Sequence, residues 1–138
     1  QFQVKLNYED AMVPKRGSTE AAGYDLYSYE EGRVMPHSTR LFDTGISIRV
    51  PEGTYGRIAP RSSVSKKGIL VNAGVIDRDY RGPVKIMLHN LSNNDYVINK
   101  NDRIAQLILE QIKTPLVELV EELDDTIRGE GGFGSTGK

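Results

Sequence analysis

Cysteine is absent from the 138 residues, which excludes a disulfide framework, a thiolate metal cluster and a cysteine nucleophile. Histidine occurs only at His37 and His89, too sparse for a zinc site, so any metal is expected to be a hard, oxygen-bound cation. An excess of one charge is missing too. Eighteen Lys and Arg stand against 19 Asp and Glu, a formal net charge of -1 with no large block of either sign, which argues against an electrostatic binder of nucleic acid or membrane. No apolar run approaches membrane-spanning length, and QFQVKLNYED lacks the apolar core of a signal peptide. These absences lead us to expect a soluble intracellular protein of cytoplasm or nucleus, with no nucleic-acid or membrane partner. The length suits one domain with a real core.

What is present points to strands. Phe2, Val4 and Leu6 alternate with polar residues, as do Ile46, Ile48 and Val50, and again Val84, Ile86 and Leu88, and a period of two places each set on one face of a strand. Turn signals separate these runs at short intervals, among them Lys15-Arg16-Gly17-Ser18, Pro51-Glu52-Gly53 and Ser92-Asn93-Asn94-Asp95. Many brief strands so spaced suggest an all-β sandwich or barrel. The segment RIAQLILEQI fits both periods, since Ile104, Leu107, Ile108, Gln111 and Ile112 share a helical face while its β-branched residues favour a strand. As a nearly continuous apolar run after a turn, it is assigned to a strand in the middle of the sandwich. One short helix is expected over Ser63 to Lys67, capped by Ser62 and ended by Gly68. After Pro115 the sequence LVELVEELDD reads as an amphipathic strand running into acid. The tail RGEGGFGSTGK, with five glycines in eleven residues, cannot pack a core alone and is expected to be ordered by a ligand or another chain.

Three segments carry candidate chemistry. The tail matches the glycine spacing of a dinucleotide fingerprint and most of a phosphate loop, yet both need a following helix. Its glycine amides, with Arg128, Ser135 and Thr136, still suit an anion, and the plain alternative is a disordered terminus. Arg61-Ser62-Ser63 brings a fixed charge, two hydroxyls and helical amides to one point, where phosphate fits, and the alternative is a capped helix with a surface arginine. The run Gly74 to Gly82 reads as a charged hairpin turn between VNAGVI and VKIML, able to offer main-chain groups to the edge of a flat heterocycle. Asp77 and Asp79 are then either chemistry or ordinary turn formers.

Taken together, AAGYDLYS (21–28), GRIAPRSS (56–63), AGVIDRDYRG (73–82), DRIAQLIL (102–109) and RGEGGFGSTG (128–137) resemble, in order and spacing, the five motifs of the trimeric deoxyuridine triphosphatases, the dUTPases. Five motifs in family order are a far more specific signal than any one alone.

The resemblance implies a jelly-roll-like (β-clip) subunit with one short helix, a β domain over 1–127 and a closing glycine-rich tail over 128–138. It also implies a homotrimer with three active sites at subunit interfaces, the tail coming from a different chain than the hairpin. By the same resemblance, Gly74, Val75, Ile76 and the backbone near Lys85 hold uracil, and Tyr80 lies against the deoxyribose where a ribose hydroxyl would clash. Asp77 corresponds to the catalytic carboxylate that activates water for attack on the α-phosphorus of dUTP. Arg61, Ser62, Ser63 and Gln106 match ligands of the phosphate chain, and Arg128 matches the tail arginine that reaches the γ-phosphate. Phe133 stacks on uracil while the Gly134 and Ser135 amides meet phosphate. Mg2+ is implied as cofactor, held mainly by the phosphates, with Asp25 acting through water. Asn101 stands where the family commonly has glycine, though asparagine tolerates a left-handed turn, and Pro83 opens the strand leaving the hairpin. Two other readings keep the fold: a dCTP deaminase, for which no glutamate stands near the hairpin, and a nucleotide-switched regulatory protein.

Overall fold

The computed structural model describes residues 1–134. Eleven strands and one helical turn follow in the order β1 (Gln3–Leu6), β2 (Tyr24–Tyr27), β3 (Gly32–Val34), β4 (Thr39–Asp43), β5 (Ile46–Arg49), β6 (Thr54–Ala59), α1 (Ser62–Ser65), β7 (Ile69–Asn72), β8 (Val75–Ile76), β9 (Lys85–Asn90), β10 (Tyr96–Ile98) and β11 (Arg103–Gln111). They form antiparallel sheets in the orders β2-β11-β6-β8 and β4-β9-β7, with two-stranded ribbons β1-β5 and β3-β10. Leu26, Ile58 and Leu107 from the first sheet, Phe42, Ile86 and Leu88 from the second, and Ile46 and Val34 from the ribbons meet in one core. This is the expected jelly-roll type of β-sandwich, and the alternating sets around Ile46 and Ile86 face inward as read from the sequence.

The ambiguous segment is a strand. β11 runs between β2 and β6 and pairs with both, so Ile104, Ala105 and Leu107 are fully buried and each neighbour satisfies one side of its ladder. Asn101, with φ of 73°, takes the left-handed conformation of the turn before β11, where its amide donates to Ser28 O at 2.7 Å.

Three expectations change. The helix lies over Ser62–Ser65 instead of Ser63 to Lys67: Arg61 occupies the N-cap position without a side-chain cap bond, and Ser62 is the first helical residue. Burial of Val64 at 3 % exposure holds this turn down, so packing sets its position and capping does not. No strand forms in LVELVEELDD. Residues 112–120 run without regular structure, and Leu116, Val117 and Leu119 are 97, 96 and 95 % exposed; an amphipathic strand needs a sheet edge, and this segment pairs with none of the described strands. The hairpin differs too. β7 does pair with β9, but β8 leaves that sheet and pairs with β6, in the register Gly56 to Ile76 and Arg57 to Val75.

Candidate active site

The crossing of β8 from one sheet to the other makes a cleft. Ala73 and Gly74 have φ of 57° and 94°, a double left-handed step that turns the chain off β7. The Ile58 amide donates to Gly74 O at 2.8 Å. A Cβ on Gly74 would sit 2.9 Å from Ile58 O, so close backbone approach as well as φ requires glycine. Between β8 and the start of β9 lies an open cleft of about 230 Å³ lined by Gly74, Val75, Ile76, Asp77, Tyr80 and Lys85, all expected from the sequence, and by Ile58, Ala73, Pro83 and Val84. Ile58, Ala73 and Val84 were not anticipated: they lie in or beside the quoted motifs, but nothing in their local pattern distinguishes them from core or turn residues.

The loop tip is a tight turn in which the Tyr80 amide donates to Asp77 O at 3.1 Å, leaving Asp77 solvent-exposed at the cleft. Pro83, a departure from strand chemistry, costs no cross-hairpin bond. Its neighbour Val84 pairs away from the hairpin, donating to Ile46 O at 2.8 Å and accepting from the Thr44 amide at 3.1 Å.

A second cluster gathers Asp25, Arg61, Gln106 and Arg103. Asp25 on β2 and Gln106 on β11 are register partners, and Gln106 also faces Ala59 on β6. Gln106 Nε2 donates to Pro60 O at 2.9 Å, and Arg61 Nη1 donates to Arg103 O at 3.1 Å. The Asp25 carboxylate, only 17 % exposed, lies 3.7 Å from both Arg61 Nε and Arg103 Nη1. Two guanidiniums on one carboxylate leave a net positive charge beside the exposed hydroxyl residues Ser62 and Ser63, an arrangement suited to an anion richer in charge than chloride. Arg103 was missed in the sequence, although it stands inside a quoted motif.

Between these clusters, Arg57 Nε and Tyr55 Oη both donate to Glu110 Oε1 at 2.7 Å. These two bonds hold the Glu110 carboxyl below the usual carboxylate range, and the carboxylate raises the Tyr55 phenol. Arg57 is thereby committed to Glu110.

The fold does not bring Asp77 and Arg61 together. β8 runs antiparallel to β6, so Asp77 follows Ile76 toward the Tyr55 end, while Arg61 lies two residues past Ala59; six residues of extended chain are roughly 20 Å. Nor is the described part of the tail brought to the cleft. Arg128 Nε donates to Gly131 O within its own turn, and Phe133 and Gly134 are exposed. Ser135 and Thr136 lie outside the described residues.

Among the described residues no three His, Cys, Asp or Glu side chains gather into a metal site. The Asp25 carboxylate already faces two guanidiniums, so it is not free to coordinate a metal directly.

A cleft between two sheets walled by main chain, with a carboxylate at its rim and a basic cluster on the same sheet, suits a β-sandwich protein to a ligand that joins a flat ring to an anionic group. The sequence model of the dUTPase family matches residues 9–137. The deoxyuridine 5'-triphosphate nucleotidohydrolase of Paramecium bursaria Chlorella virus 1 is 61% identical over 135 residues, covering 97% of this chain and 96% of that protein. A mutant dUTPase of Staphylococcus bacteriophage 80alpha, solved with dUpNHpp, superposes with a TM-score of 0.92 at 32% identity over 100% of this chain and 99% of that one. A mutant dUTPase from phage phi11 of S. aureus, which coordinates a structural Mg(II) ion, gives 0.84 at 29% identity over 91% and 99%. The chain belongs to the dUTPase family.

Proposed function

We propose that this chain hydrolyses dUTP to dUMP and pyrophosphate. The observation that carries the reading is the cleft at β8, where main-chain groups of Gly74 to Ile76 and the backbone near Lys85 stand beside the exposed Asp77. Uracil bound there pairs with main-chain donors and acceptors, and a base with a reversed pattern leaves them unpaired, which rejects it by roughly 10⁴-fold.

Asp77 accepts a proton from a water molecule and aims it at the α-phosphorus. The new P–O bond forms as the bond to the bridging oxygen of the β-phosphate breaks, and pyrophosphate leaves. Positioning such a base contributes about 10² to 10⁴ in rate. Arg61, Ser62, Ser63 and Gln106 hold the phosphate chain, and Asp25 keeps Arg61 in place. When bound, Mg2+ supplies charge neutralisation on the triphosphate and the leaving pyrophosphate; Asp25 would hold it through water. Arg128, Phe133, Gly134 and Ser135 belong to a tail over 128–138 that closes on the γ-phosphate and base and excludes water.

Because Asp77 and Arg61 lie at opposite ends of β6, a complete site takes them from different copies, which supports a homotrimer with sites at its interfaces. The exposed Leu116, Val117 and Leu119 then cover a neighbour, with the 1–127 domain as the folded unit. No described helix is long and apolar enough to cross a membrane, and the reading extends to a soluble enzyme acting on an intracellular nucleotide pool, limiting uracil entry into DNA and supplying dUMP. The test is a panel of dUTP, dCTP, dTTP and UTP with magnesium, scored for product. Pyrophosphate from dUTP alone is expected. Orthophosphate as first product refutes attack at the α-phosphorus, and ammonia from dCTP replaces the reading with a deaminase.

A further inference from the structure

In the proposed complex the wall that would face the sugar is a tyrosine on an exposed loop tip, Tyr80, which lines the cleft. Tyr80 is 44 % exposed, and an exposed aromatic ring ordinarily samples several rotamers. A wall meant to reject a single added hydroxyl has to stand still to within a fraction of an ångström before the ligand arrives. Two features three or fewer residues away do this. Tyr80 Oη donates to Pro83 O at 2.9 Å, so the ring is tied across the loop to backbone. The ring also occupies the space that a side chain at position 82 would take: a Cβ on Gly82 would lie 2.5 Å from Oη, 2.7 Å from Cζ and 3.0 Å from Cε1 of Tyr80.

Gly82 is not among the positive-φ glycines, so backbone conformation does not demand glycine there. The contact is with the far end of a side chain, which can swing away, and not with backbone. An alanine at 82 therefore evicts the ring and breaks the bond to Pro83 while leaving the loop path available.

We infer that Gly82, with the Pro83 carbonyl, is a specificity-positioning residue: it latches the Tyr80 ring as a pre-set wall, and the choice of deoxyribose over ribose depends on that latch. This rests on the reading of the β8 cleft as the nucleoside site.

The experiment compares kcat/KM for dUTP and UTP in Gly82→Ala, Tyr80→Ala, the double variant and Tyr80→Phe, with thermal melting as the folding control. Expected is a fall of about tenfold or more in the dUTP/UTP ratio for Gly82→Ala, the scale of a lost single-group contact, with no further fall when it is added to Tyr80→Ala. Tyr80→Phe, which keeps the ring and loses only the bond to Pro83, is expected to lower the ratio by a smaller factor. An unchanged ratio in a folded Gly82→Ala, or an equal additional loss on the Tyr80→Ala background, overturns the latch. If Gly82→Ala does not fold, an unchanged ratio in Tyr80→Phe overturns it. A parent protein with no preference for dUTP over UTP refutes the cleft assignment itself, a separate failure.

Discussion

The amide of Ile58 donates to the carbonyl of Gly74 at 2.8 Å, and this bond is where one sheet takes hold of the other's connecting loop. It opens the ladder between β6 and β8, which anchors 73–84 at the side opposite the Val84 bonds to Ile46 and Thr44. With it, residues 75 and 76 become an edge strand, and the space behind them becomes the cleft.

Gly74→Ala strikes that bond. The new Cβ meets Ile58 O at 2.9 Å and sits at φ of 94°, so the variant should lose roughly 1–3 kcal/mol of stability. Urea denaturation with an unchanged slope and a lower midpoint is the expected result; an unchanged midpoint would mean that the loop relaxes freely.

Asp77→Asn keeps the size of the side chain and removes the base. Turnover of dUTP should fall by about 10² to 10⁴, while binding of a non-hydrolysable dUTP analogue, measured by calorimetry, changes little. Near-normal kcat would remove Asp77 from the role.

Deleting 128–138 should leave the melting temperature within a few degrees, because most of the described part of that segment is exposed and none of it is buried. It should lower kcat/KM for dUTP by about 10² or more, the scale of lost positioning. Unfolding on deletion would show the tail to be part of the core structure.

Asp10 provides a pH test away from the site. It accepts bonds from Lys100 Nζ and from Tyr29 Oη, and these, Lys100 first, lower its pKa from 3.8 to about 2, while Asp10 in turn raises Tyr29 to about 12. The folded state thus favours the charged carboxylate. Its stabilising effect is complete above the ordinary value of 3.8 and vanishes as pH falls through 2. The stability gap between the protein and Asp10→Asn should be constant near neutrality, close as pH drops from about 4 toward 2, and shrink with salt, since the pair is exposed. A pH-independent gap would contradict the ion pair.

Much of the fold was legible because an inward-facing strand writes its period of two directly into the chain: Ile46, Ile48 and Val50, or Val84, Ile86 and Leu88, could sit on no other element without exposing half the set. The resemblance of the five ordered segments led us to expect Gly74, Asp77 and Tyr80, with the backbone near Lys85, around one base and Arg61 with Gln106 on a phosphate chain; the structure lines one cleft with the first four and sets the other two beside Asp25. The local order of residues could not show that β8 abandons its hairpin for β6, because Val75-Ile76 pairs equally well with either edge, and the choice falls to Ile58 across the sandwich. It could not show that Arg103 shares Asp25 with Arg61, a meeting of β2, β11 and the turn that leads from β6 into α1. Nor could it show that LVELVEELDD stays unpaired, since amphipathic alternation states only that a partner is needed, and whether one stands within reach is decided by the whole arrangement of sheets.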